Sequence, residues 1–507
     1  MTIARLAYLF YGTVIQPQSL RQLAIAPRTL LGVYHSGKIA FAIPRATTEQ
    51  FEKTKTDYTI DNIICLSRSQ FLLPGLIDTH VHAPQYPIMG NGMDLQLLPW
   101  LDTYTFPEEA RFKDDAYARR VYQRVVRRTL RNGTTCAAYF GTLHTTGSQR
   151  LVDVMRAAGQ RGWVGKVCMD QNAPEWYRET TDESVRGTQQ LIAYVQQLDQ
   201  HEREQQQPSS SASSASRCHY HKAELVEPCI TPRFAPTCSA EALRRLGELA
   251  AEENKLRERA GRPSLPIQTH LSENEAEIAW VAKLFPESAS YTDVYDRAGL
   301  LSSRTIMAHC VHLTAEERAR LKATGTAVAH CAHSNFDLRS GVLHVRQLLD
   351  EGLKISLGTD MAGGHAISML EAMRGALTAS RTICIMEAQK QQQQQLNDKV
   401  HDDDARSQLS ITEVVYMATM GGAAAMGLHD KIGMLLEANY EFDALLVDTA
   451  APDSPFDFFE PEASAEELLA DKLYMRRLEK FVMCGDDRNI EGVWVRGRQV
   501  AGTPLAN

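Results

Sequence analysis

Between Leu72 and about Asp360 the chain repeats one rhythm eight times. A short apolar, β-branched-rich run gives way to a stretch with apolar residues at helical spacing, and then another short run begins. The runs are GLIDTHVH at 75–82, TTCAAYF at 134–140, WVGKVCMD at 163–170, ELVEPCITP at 224–232, IQTHL at 267–271, TIMAHC at 305–310, TAVAHC at 326–331 and KISLGTD at 354–360. The segments between them, such as DDAYARRVYQRVVRRTLRNG and AEALRRLGELAAEENKLRERAG, read as amphipathic helices closed by Gly. Eight strands alternating with helices predict an α/β fold, a parallel (β/α)8 barrel of the TIM type.

The two ends break the rhythm. Residues 1–71 and 432–507 are richer in short strands and turns: LLGVYHSGKIAFAI, YEFDALLVD and EGVWVRGRQVAG read as strands around turns. These ends are expected to meet in a composite small β-sandwich domain beside a barrel spanning 72–431. Two stretches, EREQQQPSSSASSAS at 202–216 and QKQQQQQLNDKVHDDD at 389–404, have too few apolar residues to pack and read as solvated insertions. A helical start is compatible with the Gln run.

Charge and cysteine content narrow the function classes. The net charge of −8 is spread along the 507 residues, which argues against a nucleic-acid partner. The ten Cys are scattered without a C-x-x-C pair, as expected of reduced thiols rather than a disulfide framework, and Cys310 and Cys331 lie in apolar runs as small core residues. The apolar start LAYLFYGTVI lacks the flanks of a signal peptide, and no run reaches the ~20 apolar residues of a membrane helix. The C-terminal PLAN matches no peroxisomal or prenylation signal. The expectation is a cytoplasmic protein with no membrane partner.

The chemistry begins with His80 and His82. With sixteen His in the chain, an H-x-H match has roughly half a chance of arising at random, and a second one, His219-Tyr220-His221, borders the Ser-rich insertion. Position separates the two. His80 and His82 close the first barrel strand, where alternation puts both on one face. His270 ends the fifth strand, His309 the sixth and Asp360 the eighth. In a closed barrel these ends converge on one mouth. Imidazoles plus a carboxylate suit Zn²⁺ or a similar borderline ion with one position left for water.

Metal binding makes hydroxide available near neutral pH, but a base must still take a proton and an acid must protonate the leaving group. Asp360 can touch both metal and hydroxide. Glu273, three residues after His270, is placed to shuttle the proton. Its alternative reading is a helix-capping or surface carboxylate in the acidic run SENEAE.

At these residues, PGLIDTHVHAPQY, THLSENE, MAHCVHLTAEE and SLGTDMAGG, the chain resembles the amidohydrolase superfamily. Within it the chain is most similar to the guanine deaminases, through HAPQY at 82–86, LLPWLDTYTFPEEARF at 97–112, VCMDQN at 167–172, TPRF at 231–234 and MCGDDRNIEGVWVRGRQV at 483–500. The resemblance spans nearly the whole chain outside the two insertions. It implies one zinc ion per subunit held by His80, His82, His270 and Asp360, with His309 a near neighbour that positions hydroxide or substrate and Glu273 as proton shuttle. His270 and Asp360 would also face the substrate. Gln85 would bind a purine edge, and Arg233 with Phe234 would bind and stack the purine. Amide, guanidinium and aromatic ring suit those tasks. Trp100 either lines the pocket or belongs to the core. No Lys stands near the end of strand four to bridge a second metal, since Lys222 precedes that strand. Ala332 and His333 depart from the Pro and Asn that relatives often carry there.

The resemblance thus implies hydrolytic deamination of guanine to xanthine and ammonia, a metal-activated hydroxide attacking the amine-bearing ring carbon, in a homodimer. The rival readings are a related deaminase or dechlorinase acting on cytosine, a triazine or an adenosine-type thioether, and a non-catalytic scaffold. The first shares the metal residues. The second would be expected to have lost them.

Overall fold

The computed structural model describes residues 4–205, 222–393, 408–459 and 471–503. Five strands come first: β1 (Arg5–Ser19), β2 (Gln22–Tyr34), β3 (Ile39–Ile43), β4 (Thr59–Cys65) and β5 (Gln70–Pro74). The next eight are β6 (Leu76–His82), β7 (Thr134–Phe140), β8 (Arg161–Cys168), β9 (Val226–Pro232), β10 (Ile267–Leu271), β11 (Thr305–His309), β12 (Ala327–His330) and β13 (Lys354–Leu357). These eight lie side by side in chain order, every pair parallel. The first and last approach each other: the Asp360 N–H donates to the His80 carbonyl at 2.9 Å, the His82 N–H to the Met361 carbonyl at 3.1 Å, and the Thr79 hydroxyl to the Leu357 carbonyl at 2.9 Å. All eight sequence-predicted strands are present as a nearly closed barrel.

Continuous apolar runs, rather than alternating ones, are what a parallel strand covered on both faces requires. Every residue of β6, β7 and β8 is buried. Helices such as Asp115–Arg131, Thr145–Ala158 and Ala240–Arg259 turn one apolar stripe onto the strands. Inside the barrel, Gln268 Nε2 donates to the Tyr139 carbonyl at 3.0 Å and the Thr231 hydroxyl at 3.1 Å. Gly165 makes room there, since a Cβ at that position would fall 1.7 Å from Thr231 Oγ1.

A second sheet draws on both chain ends. Its order is β16-β15-β14-β5-β1-β2-β3, with β4 beside β1, where β14 is Ala444–Asp448, β15 is Ile490–Val495 and β16 is Arg498–Gly502. LAYLFYGTVI lies within β1, where Leu6, Leu9, Phe10, Val14 and Ile15 are buried.

Three details differ from the sequence reading. The strand expected over 354–360 ends at Leu357, so Asp360 stands three residues beyond β13, with a left-handed backbone at φ +46°. The C-terminal segment contains a 14-residue helix, Asp471–Cys484, that buries Leu473, Leu478, Phe481 and Val482. The Ser-rich insertion begins as helix, with Thr181–Gln205 running into it, whereas the helical start allowed for the Gln run is present in Met369–Gln393. The rest of the two insertions, with His219 and His221, lies outside the described residues. Among the described residues no helix is long and apolar enough to cross a membrane.

Candidate active site

The C-terminal ends of β6, β10 and β11 and the loop after β13 bring five side chains to one point. His80 Nε2 lies 3.1 Å from Asp360 Oδ1, His82 Nε2 lies 3.4 Å from the same oxygen, and His82 Nε2 and His270 Nε2 are 3.1 Å apart. His309 Nε2 lies 3.7 Å from Asp360 Oδ2 and 3.6 Å from Glu273 Oε2. One ligand atom from each of His80, His270, His309 and Asp360 falls within 4.8 Å of the others. Metal–nitrogen bonds of about 2.0–2.1 Å place tetrahedral ligand atoms about 3.3–3.4 Å apart, so these separations are those of a coordination shell.

Tautomer control points the same way. His270 Nδ1 donates to the Arg233 carbonyl at 2.5 Å, which leaves its Nε2 lone pair facing inward. His309 Nδ1 donates to Asn335 Oδ1 at 2.9 Å with the same result. Metal-binding imidazoles are oriented in this way by a partner on the other ring nitrogen. The Nε2 atoms of His80 and His309 are buried and find no hydrogen-bond partner among the described residues. Buried polar atoms of that kind need an explanation, and a cation held by several imidazoles and a carboxylate supplies one. These residues therefore fit a metal ion of the zinc type.

Backbone and packing hold the shell. His309 (φ +70°), Ser272 (φ +48°) and Asp360 are all non-glycine residues in left-handed conformation. Such residues cost of order 1–3 kcal/mol each and cluster at functional sites. Asp78 accepts from the Thr359 hydroxyl and from the Thr359 and His80 amides, which ties the chain just before Asp360 to the His strand.

Electrostatics separates the carboxylates. Burial alone would raise Asp360, but the neighbouring His80, His309 and His82 outweigh it and hold the carboxyl far below the usual range. Burial pushes Glu273 up, with the Asp360 charge adding to it against the opposing pull of His309. Burial lowers His80, His82 and His270, keeping the rings neutral and able to act as ligands. Glu273 is not the cap of the following helix. Asn274 caps Glu275–Leu284 in a capping box with Glu277, and Glu277 also accepts the Glu273 N–H at 2.9 Å. Glu273 itself is 3% exposed and accepts from the Ser340 hydroxyl at 2.8 Å.

Above this cluster lies about 370 Å³ of space free of protein atoms, lined by His82, His270, His309, Asp360 and Glu273 at one end and by Gln85, Trp100, Arg233, Phe234 and Leu338 around it. Every residue assigned to substrate from the sequence thus meets the metal cluster in one cavity. Trp100 lines it while its indole N–H donates to the Asn91 carbonyl at 2.9 Å. Phe234 sits with its ring centre 6.4 Å from that of His270. His333 turns away, bonded to the Glu371 carbonyl at 2.8 Å and packed on His365, so the departure at Ala332–His333 does not enter the cavity.

Sequence reasoning passed over Glu109, Tyr177, Asn335 and Ser340. Glu109 stands inside the segment PEEARF that carried part of the resemblance, but nothing in the sequence distinguishes it from Glu108 beside it. Glu109 is fully buried against Gln85, Arg233 and Tyr177.

The model of the Amidohydrolase family matches residues 71–500. A probable guanine deaminase of Schizosaccharomyces pombe is 40% identical over 98% of this chain and 86% of its own length. The guanine deaminase of Mus musculus is 40% identical over 98% of this chain and 97% of its own. The crystal structure of guanine deaminase from C. acetobutylicum with guanine bound in its active site superposes with a TM-score of 0.76 at 33% identity, covering 97% of this chain and 99% of that one. By its fold, its cluster of four histidines and an aspartate, and its likeness over nearly the whole length, the chain belongs to the amidohydrolase family and, within it, to the guanine deaminases.

Proposed function

We propose that this chain hydrolyses guanine to xanthine and ammonia. The observation that carries the reading is one cavity shared by a metal-ligand cluster, a buried carboxylate and a set of side chains suited to a flat heterocycle. In this reading His80, His82, His270 and Asp360 hold one zinc ion per chain, and His309 lies against the reacting centre. Bound zinc lowers the pKa of a water from about 15.7 to about 7, which makes a nucleophile available at neutral pH.

The protein's own groups do the rest. Gln85 and Arg233 fix the purine edge, and Phe234 offers a face to the ring. In this reading the amine-bearing carbon faces Glu273, which lines the same cavity. Oxygen from water bonds to that carbon. Glu273 takes the water's proton and passes it to the adjacent ring nitrogen. A second transfer through Glu273 carries the remaining proton of the added oxygen to the exocyclic amine; the C–N bond breaks, that oxygen becomes the new carbonyl and ammonia leaves. Asp360 and His309 face the developing tetrahedral centre. The raised affinity of Glu273 for a proton suits a group that must both accept and return one.

The test is the fall in guanine's ultraviolet absorbance together with ammonia release by the purified chain. Turnover is expected to stop with a strong chelator and return with added Zn²⁺. Faster turnover of cytosine, adenine derivatives or triazines than of guanine would overturn the assignment. The family resemblance also implies a cytoplasmic homodimer, tested by sedimentation of the purified chain and by cell fractionation.

A further inference from the structure

A carboxylate without exposure to solvent lies behind the wall of the cavity. Glu109, in the short helix Phe106–Ala110, is 0% exposed. Its two oxygens take three donors from three separate segments: Gln85 Nε2 on Oε1 at 2.9 Å, and Arg233 Nη1 and the Tyr177 hydroxyl on Oε2 at 2.7 and 2.8 Å. Gln85, Arg233 and Tyr177 are themselves no more than 2% exposed. Burying a charge in this way is unfavourable unless it is paired and fully hydrogen-bonded, and here the Arg233 guanidinium and two neutral donors meet that condition. The guanidinium is further placed 5.3 Å from the centre of the Phe106 ring.

The arrangement decides which way Gln85 faces. A carboxylate only accepts hydrogen bonds, so the Gln85 amide must turn its NH2 toward Glu109. Oε1 is then the acceptor that amide presents to the cavity, and among the described residues its one protein donor is the Ala362 N–H at a long 3.4 Å. Arg233 spends Nη1 on Glu109, while its other N–H groups have no side-chain or backbone acceptor among the described residues. The wall therefore offers an acceptor from Gln85 and donors from Arg233. A heterocycle with a ring N–H beside a carbonyl, a lactam edge, matches that pair. An amidine edge, with a bare ring nitrogen beside an amino group, presents the reverse pattern.

We propose that Glu109 is a specificity-determining positioning residue: it locks Gln85 and Arg233 into an acceptor–donor pair that selects substrates with a lactam edge over those with an amidine edge. The inference rests on the deaminase reading above and assigns a role to a residue that need not touch the substrate. A site built to satisfy a hydrogen-bond pattern rejects the reversed one strongly because its own buried groups are then left unpaired.

Guanine and 2,6-diaminopurine carry the same 2-amino group and differ at this edge, lactam in the first and amidine in the second. The test compares kcat/KM for the two in the zinc-loaded full chain and in Glu109→Gln, whose amide can donate as well as accept and so releases Gln85 to flip. The parent is expected to favour guanine at least 100-fold. In Glu109→Gln, guanine kcat/KM should fall about 100-fold and the preference for guanine at least tenfold, with zinc content and melting temperature near the parent's. A purely structural role would lower both substrates alike and leave the ratio in place, and that result overturns the inference. So does a parent that fails to discriminate. If Glu109→Gln does not fold, Glu109→Asp, which keeps the charge but retracts it by one methylene, is read for the same ratio. A double-mutant cycle with Gln85→Ala adds a second readout: additive losses would show that Glu109 does not act through Gln85. Parent turnover is measured first. A parent without guanine turnover overturns the deaminase reading and this inference together, whereas turnover with an unchanged ratio overturns the inference alone.

Discussion

Glu273 shows how much of a residue's chemistry is set by its surroundings. Its position three residues after His270 is read directly from the chain, but a carboxylate in an acidic run is compatible with a cap, a surface charge or a proton carrier. Asn274 caps the helix instead, and burial at 3% exposure rules out a surface charge, which with the Ser340 hydrogen bond and 3.6 Å to His309 supports the proposed role of proton carrier. Glu273→Gln is expected to keep its metal and lower kcat by about 10²–10⁴-fold, the usual contribution of a general acid–base group. Near-parent kcat in that variant would remove Glu273 from the mechanism. Protonated Glu273 cannot accept the proton of water, so activity should fall as pH drops through its pKa. Because that pKa is raised, first by burial, the acid limb of kcat/KM should lie above the ordinary Glu value of 4.5. A limb at or below that value would contradict the environment described here.

Among the elements, the barrel strands were the most legible, since a run buried on both faces is written as consecutive apolar residues. Their exact ends were less so. Asp360 is delivered by the turn after β13, where Gly358 lets the chain pass close to His80: a Cβ there would fall 2.7 Å from His80 Cβ and 3.0 Å from Cys331 Sγ. Gly358→Ala should therefore displace His80 and weaken metal binding by about 10–100-fold, the range seen when groups supporting a metal ligand are altered. Competition with a chromophoric chelator measures this, and unchanged affinity in a folded variant would mean the strand yields without cost. The helix Asp471–Cys484 was not anticipated because its neighbourhood is dominated by strand and turn signals, and its amphipathic stripe gains meaning only from the surface it covers.

Across the whole molecule, barrel and second sheet are pinned by a buried ion network at the end of the barrel opposite the site. Arg161, the first residue of β8, pairs with Asp443 through Nε at 3.0 Å and Nη2 at 3.2 Å and also with Glu441. Arg496, in the turn between β15 and β16, donates its N–H to Asp443 at 2.7 Å and its Nε to Glu441 at 2.9 Å. Arg161→Met should destabilise by about 3–5 kcal/mol, because it removes the guanidinium from the buried Asp443 and one of the two from Glu441. Urea unfolding measures that loss, and kcat of the folded fraction should be unchanged. A loss under about 1 kcal/mol would mean that Arg496 alone suffices. Burial works against the charge of Glu441, but Arg161 and Arg496 outweigh it and hold its pKa down to about 2. The stability this carboxylate contributes is therefore present above pH 4.5 and is lost as pH falls toward 2. The sequence by itself determined the strand–helix rhythm, the histidines toward the barrel strand ends and the family likeness, because periodicity and local spacing are properties of a chain. Only the tertiary structure decided how Glu109 gathers Gln85, Arg233 and Tyr177, how Asn335 and the Arg233 carbonyl set two imidazole tautomers, and how Arg161 joins the chain's middle to its end. Those contacts link residues far apart in sequence, and their hydrogen-bond geometry does not exist until the barrel closes.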